Sequence, residues 1–372
     1  MSSGAAASNV EIGIGAQDSG TLSTSGSGSL KDVGSVYVAR SGTGSFNITA
    51  GGVVSSIRFV IGENSASDGT ATISGFGSMW TNVAVCFVGF DGNGTLNITN
   101  GGQVSNLNST SIGENGTGTV TVDGAGSIWT DDLGIAIGVV GAGTLTISNG
   151  GHISSFGGTI GSNPGSTGVV NVIGAGSSWT NNGLLRLSGD GGNGTLQIMS
   201  GGAVSNGSCF MGTFSGSGTS SVDGAGSTWT ISGDLSVGDV FGGVGTVTIS
   251  QGGQITSVNG FIADGSSSTG SVQVDGAGSI WANSGNVYVG GTATGPVGTG
   301  DLQLINGGTV SAAAVTVWST GATTGNGFLQ TTEVTNHGTL APDQTISING
   351  NLTFDSTAIM SSTVTLTSPT VL

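Results

Sequence analysis

One block recurs in phase along the chain. Gly-(Ala/Phe)-Gly-Ser-x-Trp-(Thr/Ala) surrounds Trp80, Trp129, Trp179, Trp229 and Trp281, at spacings of 49, 50, 50 and 52 residues. Leu30 closes a degenerate copy 50 residues before Trp80. A second block, Asn-Gly-Gly-x-(Val/Ile)-Ser, falls between these at Asn100–Ser105, Asn149–Ser154 and Asn306–Ser311, with looser copies from Ala50, Ser200 and Gln251. Each 50-residue unit divides again into two similar halves. Both halves open on Gly-Thr-(Leu/Val)-x-(Ile/Val), as in Gly94–Ile98 and Gly118–Val122. Both later reach an apolar-Gly pair such as Val88-Gly89 or Ile112-Gly113. Thirteen such markers occur, 23 to 28 residues apart. A sequence that repeats at this length folds as stacked copies of one supersecondary unit.

The pattern inside the unit predicts which one. In Thr95-Leu96-Asn97-Ile98-Thr99 the apolar residues alternate with polar ones, the period of a half-buried strand. A turn of about 25 residues built from such strands is one coil of a β-solenoid. The expected fold is therefore all-β, a parallel β-helix of about 13–15 turns with three short strands per turn. Gly, Asn, Asp and Ser are expected at the corners, where the backbone must reach positive φ. The Trp positions fall in phase with Val104, Ile153, Val204, Ile255 and Val310, which predicts one interior column of alternating large and β-branched side chains. Trp80, Trp129, Trp179, Trp229 and Trp281 are read as structural core. The competing reading is an exposed Trp row for stacking sugars.

Composition narrows the function. Of 372 residues, 76 are Gly, 20 are Asp or Glu and only 4 are Lys or Arg, for a net charge of −16. So few cations exclude a nucleic-acid binder, which neutralises phosphates with Lys and Arg. No apolar run approaches the ~20 residues of a membrane helix. The two histidines, His152 and His337, have no metal-ligand neighbours at recognisable spacing. Asp18-Ser19-Gly20 resembles a protease serine motif only superficially and aligns with the turn at Asn115–Gly118. The cations are Lys31, Arg40, Arg58 and Arg186; Arg40 and Glu63 occupy the same position in adjacent turns, which predicts a surface ion pair. The acids mostly fall at corners, where Asp supports Asx-turns. Asp123, Asp223 and Asp275 could align along one edge, but Ser74 and Ile173 interrupt them as a calcium ladder. Cys86 and Cys209 are expected to be inward-pointing free thiols, too far apart to pair. No catalytic, cofactor-binding or metal-binding residue is assigned.

The outward positions of the Gly-Thr-Leu strands are the one surface feature with regular chemistry. Thr95 and Asn97, Thr119 and Thr121, Thr144 and Thr146, Thr195 and Gln197, and Thr246 and Thr248 predict a flat ladder of hydroxyls and amides. Such a face can bind glycans or, in principle, ice; it is also the soluble face that any solenoid needs.

The repeated blocks resemble those of bacterial autotransporter passenger domains. The tail from Gly338-Thr339-Leu340-Ala341-Pro342 through Ile346-Ser347-Ile348-Asn349-Gly350-Asn351-Leu352-Thr353-Phe354 resembles the stretch those proteins carry shortly before a pertactin-like region and an outer-membrane barrel. The resemblance covers about residues 10–355. It implies a right-handed parallel β-helix displayed at, or released from, the surface of a Gram-negative bacterium. It also implies a non-enzymatic adhesin or rigid stalk whose partners are host-cell or cell-surface glycans or proteins. The alternatives are a carbohydrate-active β-helix enzyme and a purely structural spacer. Asp343 departs from the Gly usual in this family after Ala-Pro, and neither a signal peptide nor a barrel is recognisable. Residues 1–9 and 356–372 are expected to be irregular ends of a longer chain.

Overall fold

The structure is a computed structural model that describes residues 8–341, 345–356, 358–360 and 363–366. Asp343 and the first seven residues lie outside this set. The chain divides into two compact units between Asn182 and Gly183. Each is a parallel β-solenoid. No helix among the described residues is long and apolar enough to cross a membrane.

The regular turn has three strands, seen in the first unit as Asn93–Thr99, Gln103–Asn106 and Thr110–Ile112. Seven-residue strands stack in parallel within each unit, seven in the first and five in the second, where three shorter strands continue the stack. The two shorter strands of each turn belong to another sheet. Pairing is parallel and residue for residue: Leu96 meets Val120 and then Leu145, while Ile98 meets Val122 and then Ile147. These six are fully buried, so the period-two pattern points its apolar half inward on every rung.

The tryptophans occupy the column read from their phase. Trp129 lies between Val104 and Ile153; in the second unit Trp229 follows Val204 and precedes Ile255, which precedes Trp281. All five repeat tryptophans are completely buried. A large ring is accommodated on one rung because its neighbours above and below are β-branched and smaller, and removing such a ring costs about 3–5 kcal/mol.

The two repeated blocks meet at one corner. The first residue of every Asn-Gly-Gly copy has a left-handed backbone, with φ of 54° at Asn100, 51° at Asn149 and 52° at Asn306. Asn tolerates that region better than most residues, which explains the consensus. The third position must be Gly: a Cβ on Gly102 would sit 2.2 Å from the Ile73 carbonyl oxygen. The Ser of Gly-Ala-Gly-Ser holds this corner to the next turn. Ser127 Oγ donates to the Asp123 carbonyl (2.6 Å) and accepts the Gly101 N–H (3.1 Å). Ser78, Ser177, Ser227 and Ser279 make the same pair of bonds. A buried backbone donor at a tight corner is thus satisfied by a side chain from the following rung.

The second unit departs from regularity beyond Val289. A short antiparallel hairpin, Gly291–Thr292 with Gly295–Pro296, leaves the coil, and Trp318 Nε1 donates to the Thr292 carbonyl at 2.8 Å. The coil then resumes through the Asn306–Ser311 block and carries no repeat block after Trp318. Phe328–Asn336 pairs in parallel with Thr345–Phe354 across a bulge between Gln330 and Glu333, and parallel pairing continues to Thr363–Leu366.

Candidate functional site

The ladder residues stand on the outer face of the long strands, where Leu or Val between them points inward. In the first unit Thr95, Thr119 and Thr144 form one column and Asn97, Thr121 and Thr146 the next. Ser45 and Thr70 extend the first column, and Asn47 and Thr72 the second. Val169 ends the run of hydroxyls on the first column, beside Asn171 on the second. Thr95, Asn97, Thr119, Thr121, Thr144 and Thr146 are all half-buried. In the second unit Thr195, Thr219 and Thr246 align, beside Gln197, Ser221 and Thr248. That face then changes character, passing through Ser271 and Gln273 to Asp301 and Gln303. Successive rungs are ~4.8 Å apart, so each unit carries a two-column lattice of uncharged hydrogen-bonding groups at strand spacing.

The edge acids are internal partners of the corners. Asp123 Oδ1 accepts from Ser148 Oγ (2.5 Å) and Asn149 Nδ2 (2.6 Å). Asp223 Oδ1 does the same with Ser250 and Gln251, and Asp275 Oδ1 accepts from Asn306 Nδ2. Their charge is spent on the turn that follows each of them. Among the described residues, no group of three or more His, Cys, Asp and Glu is placed to hold a metal ion.

Arg40 pairs with Glu63 at 3.0 Å and also with Glu11 at 2.9 Å, on the preceding rung. The Glu11 hydrogen bond and charge raise the Arg40 pKa further. Glu11 belongs to Val10–Ile12, the first strand, where no repeat block marks the register. Cys86 and Cys209 are free and buried; burial pushes both thiols up, which suppresses the reactive thiolate. His152 lies on a strand with its Nδ1 2.8 Å from Ser178 Oγ, while His337 stacks on Trp318 and meets Asp355 at 2.5 Å.

Three carboxylates have environments that the motifs do not announce. Asp131 is 2% exposed, and burial pushes its pKa up to about 6 against hydrogen bonds from Thr110 Oγ1 (2.6 Å), Asn106 Nδ2 (3.0 Å) and the Gly134 N–H (2.7 Å). It belongs to an interior polar column: Ser56 donates to Asn82 Oδ1, Asn82 donates to Asn106 Oδ1, and Asn106 donates to Asp131. In the second unit, burial and the charge of Asp264 push Asp239 up to about 6, with Arg186 opposing. Asp264 is raised by its own burial, against a 2.5 Å bond from the buried Ser236 hydroxyl. Phase alone held the available signal. Asp131 sits at the position of Asn82 and Asn106, and Asp264 at the position of Asp239, one rung on.

No protein-family model and no curated protein matches the sequence. Among solved structures, the crystal structure of a TibC-catalysed, hyper-glycosylated TibA fragment spanning residues 55–350 of TibA is similar, with a TM-score of 0.50 and 17% identity. The match covers 95% of this chain and 98% of that one. At that identity the likeness concerns the fold: both chains are similar as β-solenoids.

Proposed function

We propose that this chain is a non-enzymatic, surface-displayed solenoid of the autotransporter-passenger kind, acting as an adhesin on a rigid acidic stalk. The polar ladder is the face it offers to glycans of host or neighbouring cells. The observation that supports the reading is the pair of in-register columns built from hydroxyl and amide side chains, with one residue of each column per rung. A saccharide presents hydroxyls that both donate and accept, and Thr and Asn side chains answer both roles. The resemblance of the repeat blocks to passenger domains supports the same location.

The test replaces Thr119, Thr121, Thr144 and Thr146 together by Val, which keeps shape and strand preference and removes four hydroxyls. Binding of the purified chain to glycan arrays and to cells should fall about tenfold or more, at roughly 1 kcal/mol or less per lost hydrogen bond, with an unchanged circular dichroism spectrum. Undiminished binding would remove the ladder from the mechanism. No binding by the parent chain would leave the spacer reading.

One observation favours a carbohydrate-active enzyme as the second reading. Asp239 and Asp264 are neighbouring carboxylates with raised pKa values, and a glycosidase needs an acid and a base in different protonation states. A screen for reducing sugars and unsaturated products on neutral and anionic polysaccharides, repeated with Asp239→Asn, tests it. Product that disappears in the variant would replace the adhesin reading.

A further inference from the structure

We propose that Asn306 is a site of covalent modification, losing its side-chain amide by cyclisation onto Gly307, while the seryl clamp protects the equivalent Asn100 and Asn149. The chain holds eleven Asn-Gly pairs. In such a pair the Gly nitrogen gives up its proton and attacks the side-chain carbonyl carbon of Asn. A C–N bond closes a succinimide ring, the Cγ–Nδ2 bond breaks and ammonia leaves. Water then opens the ring at either carbonyl and leaves an α- or β-linked aspartyl residue. Gly permits the attack because no Cβ shields its nitrogen. An N–H donated to a fixed acceptor resists it, because that bond must be given up before the nitrogen can react.

In most of these pairs the Gly backbone is held. Gly116 donates its N–H to the Phe90 carbonyl at 3.0 Å, Gly207 to the Gly183 carbonyl at 2.8 Å and Gly260 to the Asn286 carbonyl at 2.9 Å. Asn93 and Asn193 open long strands, where the parallel ladder fixes the chain. At the Asn-Gly-Gly corners the acceptor is the clamp. Gly101 donates to Ser127 Oγ at 3.1 Å and Gly150 to Ser177 Oγ at 3.0 Å.

The corner at Asn306 has lost that acceptor. Phe328 pairs with Thr309 as Ile128 pairs with Gln103, so Gly327 stands where Ser127 does, without a side chain. The Gly307 N–H has no acceptor among the described residues. In other respects this corner matches the one at Asn149. The Asn φ is 52° and 51°, and the φ of the Gly that follows is 85° in both. Asn306 Nδ2 donates to Asp275 Oδ1 at 2.7 Å, as Asn149 Nδ2 donates to Asp123 Oδ1 at 2.6 Å. Both Asn residues are exposed. The Gly327 N–H likewise has no acceptor among the described residues, but Gly327 is buried and Asn326 half-buried, which keeps base and water from that pair.

Conversion puts a carboxylate against Asp275 Oδ1 where a hydrogen bond stood, and like charges so close repel. The β-linked product also adds a backbone carbon just ahead of Gly308, which passes so near the preceding rung that a Cβ would lie 2.0 Å from the Val274 carbonyl oxygen. Either product loosens the joint between the rung of Trp281 and the coil that follows it.

The test holds the purified full chain in warm, mildly alkaline buffer and maps conversion by mass spectrometry after chymotryptic digestion, since 4 Lys and Arg leave trypsin few sites. In the folded chain Asn306 should convert first, about tenfold faster than Asn149, the rate equivalent of one hydrogen bond to the attacking nitrogen. In urea the two should react at similar rates. Ser177→Ala removes the acceptor of Gly150 and should raise the Asn149 rate about tenfold with Asn306 unchanged; circular dichroism checks that this variant folds. Equal rates at Asn306 and Asn149 in the folded parent chain overturn the proposal without any variant. So does a folded Ser177→Ala chain whose Asn149 converts no faster.

Discussion

Asp131 shows how a single atom type changes the energetics of a position. Its column neighbours Asn82 and Asn106 are neutral, and each amide both donates and accepts along the column. A carboxylate can only accept when ionised. The consequence reaches Trp129. Trp80, Trp179, Trp229 and Trp281 each donate Nε1 to a Ser or Asn on the preceding rung, but the Asn106 oxygen is already taken by Asn82 and its nitrogen faces Asp131. Trp129 Nε1 is left buried without an acceptor. Because the Asp131 pKa rises from 3.8 to about 6 on folding, the folded state holds a proton that the unfolded chain releases. Stability should therefore fall as pH rises from about 4 through 6, by about 2–3 kcal/mol from this group alone at 1.36 kcal/mol per pKa unit. Asp131→Asn should be more stable than the parent by a comparable amount at pH 7 and nearly equal to it at pH 4. Urea denaturation at the two values measures this, and a stability difference that does not change with pH would refute it.

At the scale of the strand and its corner, the seryl clamp does what hydrophobic patterning cannot. Alternation places Leu96 and Ile98 inside, yet it leaves the N–H of Gly101 buried at a turn with no strand partner. Ser127 supplies the acceptor. Ser127→Ala should destabilise by about 1–3 kcal/mol, the cost of an unsatisfied buried donor, and the Gly101 amide should lose hydrogen-exchange protection ahead of its neighbours. Thr121→Ala, on the open face, should change stability by less than about 0.5 kcal/mol; equal effects at the two sites would contradict the clamp. The strands, their inward faces and the Arg40–Glu63 pair were legible in the sequence because each follows from phase and period. Several other features were not. The seryl bonds and the interior Asn column depend on side-chain direction at corners, where period-two logic stops. Glu11 lies in a turn without a repeat block. The coil after Trp318 has lost the blocks while keeping the backbone pairing, so no phase remained to read.

For the molecule as a whole, the ladder and the corners show how a coil presents different chemistries on different sides. A strand face carries hydroxyls and amides, and corners of the first unit carry the exposed Ile57, Val83, Leu107 and Phe156, while the buried face keeps its apolar alternation from rung to rung. Each surface can change without disturbing the core, because outward and corner side chains contact mainly their counterparts one rung away. The acidic balance of −16 adds repulsion along both units that salt screens within about 10 Å at 0.1 M.

The clamps also bear on inheritance. Each seryl bond and each Trp contact spans only adjacent rungs, so an excision of residues 104–152 joins Gln103 to Ile153 and gives Trp80 an Ile where it had Val104. Ser127 leaves with the excised stretch and Ser177 meets Gly101 in place of Gly150, so every remaining clamp still has two partners. The shortened chain should fold, with the same β-type circular dichroism and a melting temperature within a few degrees; a chain that failed to fold would reveal contacts reaching beyond neighbouring rungs. Recombination between the coding stretches for the Gly-Ala-Gly-Ser blocks would then lengthen or shorten this protein by whole pairs of rungs, with a foldable product at every step.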